Sequence, residues 1–382
     1  MTGLHTTEPV AARIPWVRRL TSLETARAVA APAARQRALQ TAGRELGDAL
    51  RAGPKVLSVR TLPTSDAPYP TRFAFNGTVP ERVPGGFLII RNRSLLIQVQ
   101  TREGLKNVLF NPTDGPANAA TPFYKRLTQG IPQPLLKAFG PKPNRAVKQL
   151  AALGLRPEDI DLIAFDHFHT QDLRPLLGGD GLPARFPNAY LLAPRVEWED
   201  WDDLPMLQRA WFVPDGKRGV PDERVVLFDA DLSLGDGLAL IRTPGHTRGN
   251  QTLFAHAERG VFGTSENGTC ADNWAPHASR LPGMRRHARL LDLDVVLNSN
   301  TPELAVEQQT SMLLERAVVD KVPERPDFYQ MFPSSEVTWH VIAPHISPTY
   351  TFGEIKSGAV LTTRPQPSAA SHATLTTAEQ DT

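Results

Sequence analysis

After Lys55 the chain contains short segments rich in β-branched and aromatic residues, separated by Pro, Gly or Asn. They include VLSVRTL, TRFAF, GFLIIRN and SLLIQVQT. Segments of this length and composition between turn residues are typical of β-strands. Farther along, strand-like segments such as DLIAF and NAYLLAP alternate with helical patterns such as NRAVKQLAALGL. This order predicts an α/β (α+β) fold in which sheets are covered on their outer faces by helices.

The chain before Lys55 has a helical rather than a strand-like pattern. Apolar residues recur there at helical spacing, at Leu39, Ala42, Leu46 and Leu50. Pro32 suits the first turn of this helix, and Gly53 followed by Pro54 is a stop signal. We expect an amphipathic helix that packs on the outside of the main domain.

Changes of composition divide the chain into four parts. Residues 1–54 are predicted to be an N-terminal arm and helical extension, and residues 55–322 the main domain. Residues 323–361 are irregular and aromatic, and we expect a C-terminal extension that packs on the domain and is a candidate to close over a site. Residues 362–382, rich in Ser, Thr, Ala and Pro, are predicted to be disordered.

Charge, cysteine content and hydropathy exclude several classes of protein. The 42 Lys and Arg nearly balance 40 Asp and Glu without a basic block, which argues against nucleic acid as a partner. The single cysteine, Cys270, excludes a disulfide framework and fits a reducing, cytoplasmic setting. No apolar run approaches the roughly 18 residues that span a bilayer, so no membrane association is expected. Dimers are the commonest symmetric assemblies, so a homodimer is expected from their frequency alone.

The segment FDHFHTQDL places two histidines, His167 and His169, at the end of the apolar run DLIAF. In an extended chain, side chains two residues apart point to the same side. Both imidazoles can therefore reach one point, and histidine pairs of this kind at the mouth of a loop indicate a metal site.

A third histidine, His246, lies in LALIRTPGHTRGNQTLFA, where a strand ends in a tight turn. Gly245 and Gly249 allow another part of the chain to approach this turn closely. Three neutral imidazoles with one water form a tetrahedral zinc site with an open position. Zinc bound in this way lowers the pKa of its water towards about 7, which supplies hydroxide at neutral pH.

The order of these motifs resembles the metallo-β-lactamase superfamily. The resemblance covers roughly residues 55–305, from LGLRPEDIDLIAFDHFHTQDL through TPGHTRGNQTL and a VFG strand to VVLNSNTPE. It implies a four-layer αββα sandwich, here with N-terminal helical and C-terminal extensions, that holds metal between the edges of two sheets. It also implies that His167, His169 and His246 form the first metal site.

The chain departs from the family pattern at the second metal site. The motif Asp and His fall on Gln171 and Asp172, the bridging Asp falls on Thr264, and the last His falls on Asn300. Neutral amides and a threonine are weak ligands for a second divalent ion. We therefore expect one zinc ion on three histidines, with iron or no metal as the alternatives.

Four nearby residues are candidates for further roles. Glu266 shares the face of Thr264 two residues earlier, so it is a candidate metal ligand that restores a carboxylate; the alternative is a loop glutamate in solvent. Asp172 is the candidate general base, or else an acidic residue that favours the start of a helix. Asn300 and Gln171 are candidate hydrogen-bond donors to a substrate oxyanion, or else they bind loop backbone.

The leading functional hypothesis is a metal-dependent hydrolase that attacks an ester, lactone, thioester or amide bond. The first alternative is a mononuclear iron oxygenase of the same fold, which requires Glu266 or Asp172 as a ligand. The second is a non-catalytic member of the superfamily that binds a ligand or a partner. Aromatic residues within 198–212 and 328–352 favour a small-molecule substrate with apolar character.

Overall fold

The computed structural model describes residues 10–79, 86–112, 115–130, 146–339 and 344–362. Of the segments predicted from the sequence, residues 1–9 of the N-terminal arm and residues 363–382 of the tail lie outside these ranges. The helices are α1 Val10–Arg13, α2 Glu24–Arg27, α3 Pro32–Ala52, α4 Thr71–Ala74, α5 Gly115–Ala120, α6 Pro122–Leu127, α7 Ala146–Ala152, α8 Arg174–Leu177, α9 Arg195–Asp200, α10 Ala271–Trp274, α11 Pro282–Leu291 and α12 Ala305–Val318. No helix within the described ranges is long and apolar enough to cross a membrane.

The strands form two large sheets and one small hairpin. Their bounds are β1 Arg18–Leu20, β2 Ser58–Pro70, β3 Phe87–Thr101, β4 Gly104–Phe110, β5 Leu162–Ala164, β6 Tyr190–Pro194, β7 Val225–Phe228, β8 Asp231–Ser233, β9 Leu238–Arg242, β10 Gln251–Ala257, β11 Gly260–Ser265, β12 Lys321–Val322, β13 Arg325–Tyr329, β14 Met331–Pro333, β15 Ser335–Val337 and β16 Lys356–Ser357. Among the described residues, the larger sheet has eight strands in the order β16-β2-β3-β4-β5-β6-β7, with β15 also paired to β3. The smaller sheet has six, in the order β1-β8-β9-β10-β11-β14.

Alternation of side chains along the strands builds four layers. In β9, Leu238 and Leu240 enter the core between the two sheets, whereas Ala239 and Ile241 face outward towards helices. Helices α3 and α12 cover the outer face of the smaller sheet. Helices α7, α8 and α9 cover the outer face of the larger one. The predicted αββα sandwich is therefore confirmed.

Three of the predicted strands differ from the structure. TRFAF is a turn of helix, α4, because Pro70 ends β2 and the turn buries Ala74 and Phe75 together. GFLIIRN and SLLIQVQT form one strand, β3, rather than two. Polar residues inside β3 stay in the ladder because they have partners: Asn92 donates to Ser65 at 2.9 Å, and the buried Arg93 pairs with Glu336.

The C-terminal segment 331–337 joins the two sheets. Strand β14 adds to the smaller sheet beside β11 in parallel, and β15 adds to the larger sheet beside β3 in antiparallel. Ser334 lies between these two strands and is buried. The segment therefore crosses one edge of the sandwich, and we call it the C-terminal strap.

Helix α3 begins at Pro32 and ends before Gly53, as the sequence predicted. It approaches α12 closely through two glycines. A Cβ on Gly47 would lie 2.3 Å from the carbonyl oxygen of Val318, and one on Gly43 would lie 2.8 Å from Leu314. Residues without a side chain are therefore required where these helices cross.

Gly47→Ala tests this close approach. Alanine is the better helix former by about 0.5–1 kcal/mol, but here its methyl group would meet backbone that cannot move aside. We expect the free energy of unfolding to fall by about 1–3 kcal/mol, measured by urea denaturation. Glu45→Ala, an exposed change in the same helix, should leave it nearly unchanged. An equal or greater stability of Gly47→Ala would contradict the packing.

Candidate metal centre

The first two histidines of the candidate site follow β5 on a segment that hydrogen bonds hold in place. Asn111 follows the neighbouring strand β4 in a left-handed conformation, with a φ of 51°. Its Oδ1 accepts a hydrogen bond from the backbone N–H of Asp166 at 2.9 Å. The ends of two adjacent parallel strands are thus tied together directly before His167 and His169.

The third histidine lies on a turn that packs tightly against α12. A Cβ on Gly245 would lie 2.4 Å from the Cα of Gln308, so the close approach predicted for this glycine is confirmed. The backbone N–H of His246 donates to Oδ1 of Asn267 at 3.1 Å. Close packing and this hydrogen bond fix the turn on which His246 stands.

Glu197, in α9, clamps the two histidine-bearing loops together. Its Oε1 accepts from the backbone N–H of Phe168 at 3.0 Å, and its Oε2 accepts from the N–H of Gly249 at 3.0 Å. Burial raises the pKa of this carboxyl group, which those hydrogen bonds partly offset. Glu197 therefore sets the distance between the loops without itself lining the cavity described below.

His167, His169 and His246 converge and are all buried. One ligand nitrogen from each lies within 4.8 Å of the others, and Nδ1 of His169 is 3.0 Å from Nε2 of His246. Burial, followed by the neighbouring imidazoles, lowers the pKa of His169 and of His246 well below the usual value. Both rings are consequently neutral at physiological pH, which is the form that binds a metal.

Each imidazole has a partner on the side away from the cluster. Nδ1 of His167 is 2.8 Å from a carboxylate oxygen of Asp166. Nε2 of His169 is hydrogen-bonded to Oε1 of Gln208. Nδ1 of His246 is 3.4 Å from Nδ2 of Asn298. The nitrogens directed at the cluster are therefore Nε2 of His167, Nδ1 of His169 and Nε2 of His246, a donor set that suits zinc.

The three histidines line a cavity with a volume of about 60 Å³ for the centres of water molecules. Its walls also include Asp166, Gln171, Trp211, Glu266, Asn300 and Ser334. The C-terminal strap thus closes one side of the cavity, through Ser334, whose hydroxyl donates to Asp166.

The structure brings some of the other predicted site residues to this cavity. Gln171 and Asn300 line it, and Nε2 of Gln171 donates to the carbonyl oxygen of His169 at 3.1 Å. Glu266 also lines it and is buried rather than in solvent. Among the described residues, however, no carboxylate joins the cluster of three histidines at ligand spacing.

Glu266 is held by Ser335 of the C-terminal strap. Its Oε2 accepts from the backbone N–H of Ser335 at 2.8 Å. Burial, followed by the charge of Asp166, raises the pKa of Glu266 well above its usual value. Glu266 is therefore a carboxyl group in the wall of the cavity that gives up its proton less readily than an exposed glutamate.

Asp172 is placed differently from the expectation. Its two carboxylate oxygens accept from Nε and Nη2 of Arg174, at 2.9 and 2.7 Å. Asp172 precedes the short helix α8, and it is not among the residues that line the cavity. Two further histidines, His340 and His345, lie in the C-terminal extension. His345 is exposed and does not line the cavity, and His340 lies outside the described residues.

Asp166, Glu197, Gln208 and Asn298 support the site, and sequence reasoning did not identify any of them. Asp166 had a local signal, since an acidic residue next to a candidate ligand histidine is a common orienting partner. Glu197 and Gln208 are separated from the histidines by about 30 residues or more along the chain. No local spacing rule connects them, so only the fold reveals their role.

Behind the His246 turn, the buried Glu315 accepts hydrogen bonds from Thr252, Asn267 and Trp274, at 2.7, 2.8 and 2.8 Å. Burial raises the pKa of Glu315 from 4.5 to about 7. The folded state therefore retains this proton up to a pH of about 7, whereas the unfolded state releases it near 4.5. As pH rises between these values, Glu315 lowers the free energy of unfolding.

We expect this pH dependence to weaken in Glu315→Gln. The difference in pKa corresponds to about 3 kcal/mol. The free energy of unfolding of the wild-type protein should fall by this amount between pH 4.5 and 7, and the variant should not show this fall. Urea denaturation at pH 5 and pH 7.5 measures it. Glu307→Gln, an exposed change in the same helix, should retain the wild-type slope. Identical slopes for Glu315→Gln and the wild type would refute the assignment.

Comparison with known proteins gives a partial match in sequence. No protein-family model matches the chain. N-acyl homoserine lactonases from Bacillus thuringiensis, including AiiA of subspecies kurstaki, are 28% identical to it over 116 residues. This match covers 30% of the present chain and 41% of each relative. It therefore spans about two fifths of the length of these curated relatives.

Solved structures match over more of the chain at lower identity. A probable metal-dependent hydrolase from Staphylococcus aureus is 16% identical, with a TM-score of 0.48, and the match covers 67% of this chain and 84% of that one. The hydrolase AbOPH of the β-lactamase superfamily is 15% identical, with a TM-score of 0.47, over 81% and 98%. The chain resembles the metallo-β-lactamase superfamily. The partial sequence match to lactonases agrees with the resemblance predicted from the order of the histidine motifs.

Proposed function

We propose that this protein is a hydrolase that uses one zinc ion bound by His167, His169 and His246. The observation that supports the proposal most is the convergence of three buried imidazole nitrogens within 4.8 Å of one another. Neutral rings supply lone pairs without a proton to displace, and three such ligands leave one position open on a tetrahedral ion. A bound ion would supply Lewis acidity, which lowers the pKa of water and polarises a carbonyl group.

The residues of the chain have separate tasks in this proposal. Asp166 and Gln208 orient the imidazoles of His167 and His169 from behind. Asn300 and Gln171 line the cavity, where their amide groups donate hydrogen bonds to the substrate carbonyl as negative charge develops on its oxygen. The small volume of the cavity limits the water that competes for these donors.

For proton transfer we propose Glu266 rather than Asp172. The carboxyl group of Glu266 lines the cavity, and a carboxyl group whose pKa is raised by burial suits the transfer of a proton to a leaving oxygen or nitrogen. Asp172 instead holds Arg174 at the start of α8, and we assign it to the stability of that loop. Glu266 stays outside the ligand set because no carboxylate joins the histidine cluster in the described residues.

The proposed substrate is a small molecule with an ester, lactone, thioester or amide bond. Trp211 and Tyr124 form an aromatic part of the cavity wall, which favours substrates with some apolar surface. The curated relatives are N-acyl homoserine lactonases, so we propose lactones as the first compounds to test.

Metal analysis combined with an activity panel tests the proposal. The purified protein should contain close to one zinc per chain, and it should hydrolyse at least one member of a panel of esters, lactones, thioesters and amides. Activity should disappear on removal of the metal and return when zinc alone is added. Iron in place of zinc would favour the oxygenase, and protein that binds neither metal would favour a non-catalytic role; either result refutes the zinc hydrolase.

A further inference from the structure

Gln208 lies in the loop between α9 and β7, and its side chain is buried behind His169. Its Oε1 accepts a hydrogen bond from Nε2 of His169. Its Nε2 donates to Oε1 of Glu303 at 2.6 Å and to the carbonyl oxygen of His246 at 3.4 Å. The amide therefore connects two of the three histidine positions with an acidic residue outside the cluster.

These contacts determine which way the amide of Gln208 points. A flipped amide would place its oxygen against the carboxylate of Glu303 and the carbonyl oxygen of His246, and both of these groups only accept hydrogen bonds. The segment that carries Glu303 is itself fixed, because the hydroxyl of Thr301 donates to the carbonyl oxygen of His246 at 2.6 Å. The oxygen of Gln208 is therefore directed at His169.

The direction of the amide determines the tautomer of His169. Because the oxygen of Gln208 can only accept, Nε2 of His169 must be the donor and must carry the proton of the neutral ring. Nδ1 of His169 then has a lone pair. Nδ1 is the atom that faces the histidine cluster, 3.0 Å from Nε2 of His246. In the opposite tautomer, an N–H group would point at the position of the metal.

We propose that Gln208, oriented by Glu303, is a positioning residue that selects the Nε2–H tautomer of His169 and so makes Nδ1 a metal ligand. This inference rests on the proposed metal site and adds to it a side chain that touches neither metal nor substrate. Removal of an orienting partner of this kind lowers metal affinity about 10- to 100-fold.

Zinc affinity, measured by competition with a chromogenic chelator, tests the positioning role. Gln208→Leu should lose about 10- to 100-fold in affinity, and Glu303→Ala should lose less because His246 still orients the amide. The double variant Gln208→Glu with Glu303→Gln reverses the hydrogen bond between the two side chains and retains an acceptor for His169, although it loses the donor to the carbonyl oxygen of His246. It should therefore bind zinc more tightly than Gln208→Leu. Gln129→Leu, an exposed glutamine, is the control and should have no effect.

Nitrogen-15 NMR of the metal-free protein tests the tautomer independently of zinc. His169 should carry its proton on Nε2 in the wild type and in the double variant, and should show a mixture of tautomers in Gln208→Leu. Wild-type zinc affinity of folded Gln208→Leu, or a proton on Nδ1 of His169 in the wild type, would overturn the inference. A wild-type protein without zinc affinity would refute the proposed function, while the tautomer would still decide the role of Gln208.

Discussion

His246→Ala and His169→Ala should each reduce the affinity for zinc on the order of 1,000-fold. A full zinc site supplies about 10–16 kcal/mol of apparent binding free energy, and each variant removes one of three protein ligands. About a third of that free energy, roughly 4 kcal/mol, corresponds to this loss of affinity. Competition with a chelator measures the affinity, and hydrolytic activity should fall in parallel.

His345→Ala is the matched control for the histidine variants. His345 is exposed, and it lies in the C-terminal extension away from the cavity. Its replacement should leave zinc affinity and activity at the wild-type level. A folded His246→Ala protein that retains one tightly bound zinc per chain would show that the metal binds elsewhere.

Glu197→Ala should destabilise the protein by about 3–5 kcal/mol and weaken zinc binding together. The variant leaves two buried backbone N–H groups, those of Phe168 and Gly249, without their acceptor. Each unsatisfied group contributes about 1–3 kcal/mol, and the cavity left by the side chain adds to this. Because the clamp sets the spacing of the two histidine loops, the remaining folded protein should bind zinc less tightly.

Urea denaturation and chelator competition measure both effects on Glu197→Ala. Glu199→Ala is the control in the same helix, since this side chain is exposed and its removal should change stability by no more than about 0.5 kcal/mol. If Glu197→Ala lowers stability but leaves zinc affinity unchanged, the clamp is structural only. If neither property changes, the hydrogen bonds assigned to Glu197 are wrong.

The sequence predicted the features that depend on local patterns. Short apolar segments that end at turn residues defined strands such as Leu238–Arg242, and helical spacing with Pro32 and Gly53 defined α3. The same local logic placed His167 and His169 on one side of a strand end and His246 on a glycine-bounded turn. Side-chain direction in a strand follows from backbone geometry alone, so the convergence of the histidines could be anticipated.

The features that the sequence did not predict depend on partners distant along the chain. Asn92 suggested a break in β3, yet Ser65 pairs with Asn92 and Glu336 pairs with the following Arg93, so the strand is continuous. Asp172 was expected in the cavity, but Arg174, two residues away, holds its carboxylate at α8. A competing ion pair of this kind is visible only when the loop conformation is known.

The C-terminal strap shows the same limit. It belongs to the aromatic C-terminal extension, residues 323–361, which the sequence predicted to pack on the domain and to be a candidate to close over a site. In the structure it is Ser334 and Ser335 that line the cavity, because β14 and β15 add to different sheets and bring the residue between them to the edge of the sandwich. Segments of three residues are too short for their composition to predict that they will add to a sheet as strands.

X-ray absorption spectroscopy at the zinc edge of the zinc-loaded protein tests the central claim most directly. It should show three imidazole nitrogens and one oxygen at about 2.0–2.1 Å, with no neighbouring metal. Fewer than three imidazoles, or a second metal close to the first, would contradict a single zinc ion on His167, His169 and His246.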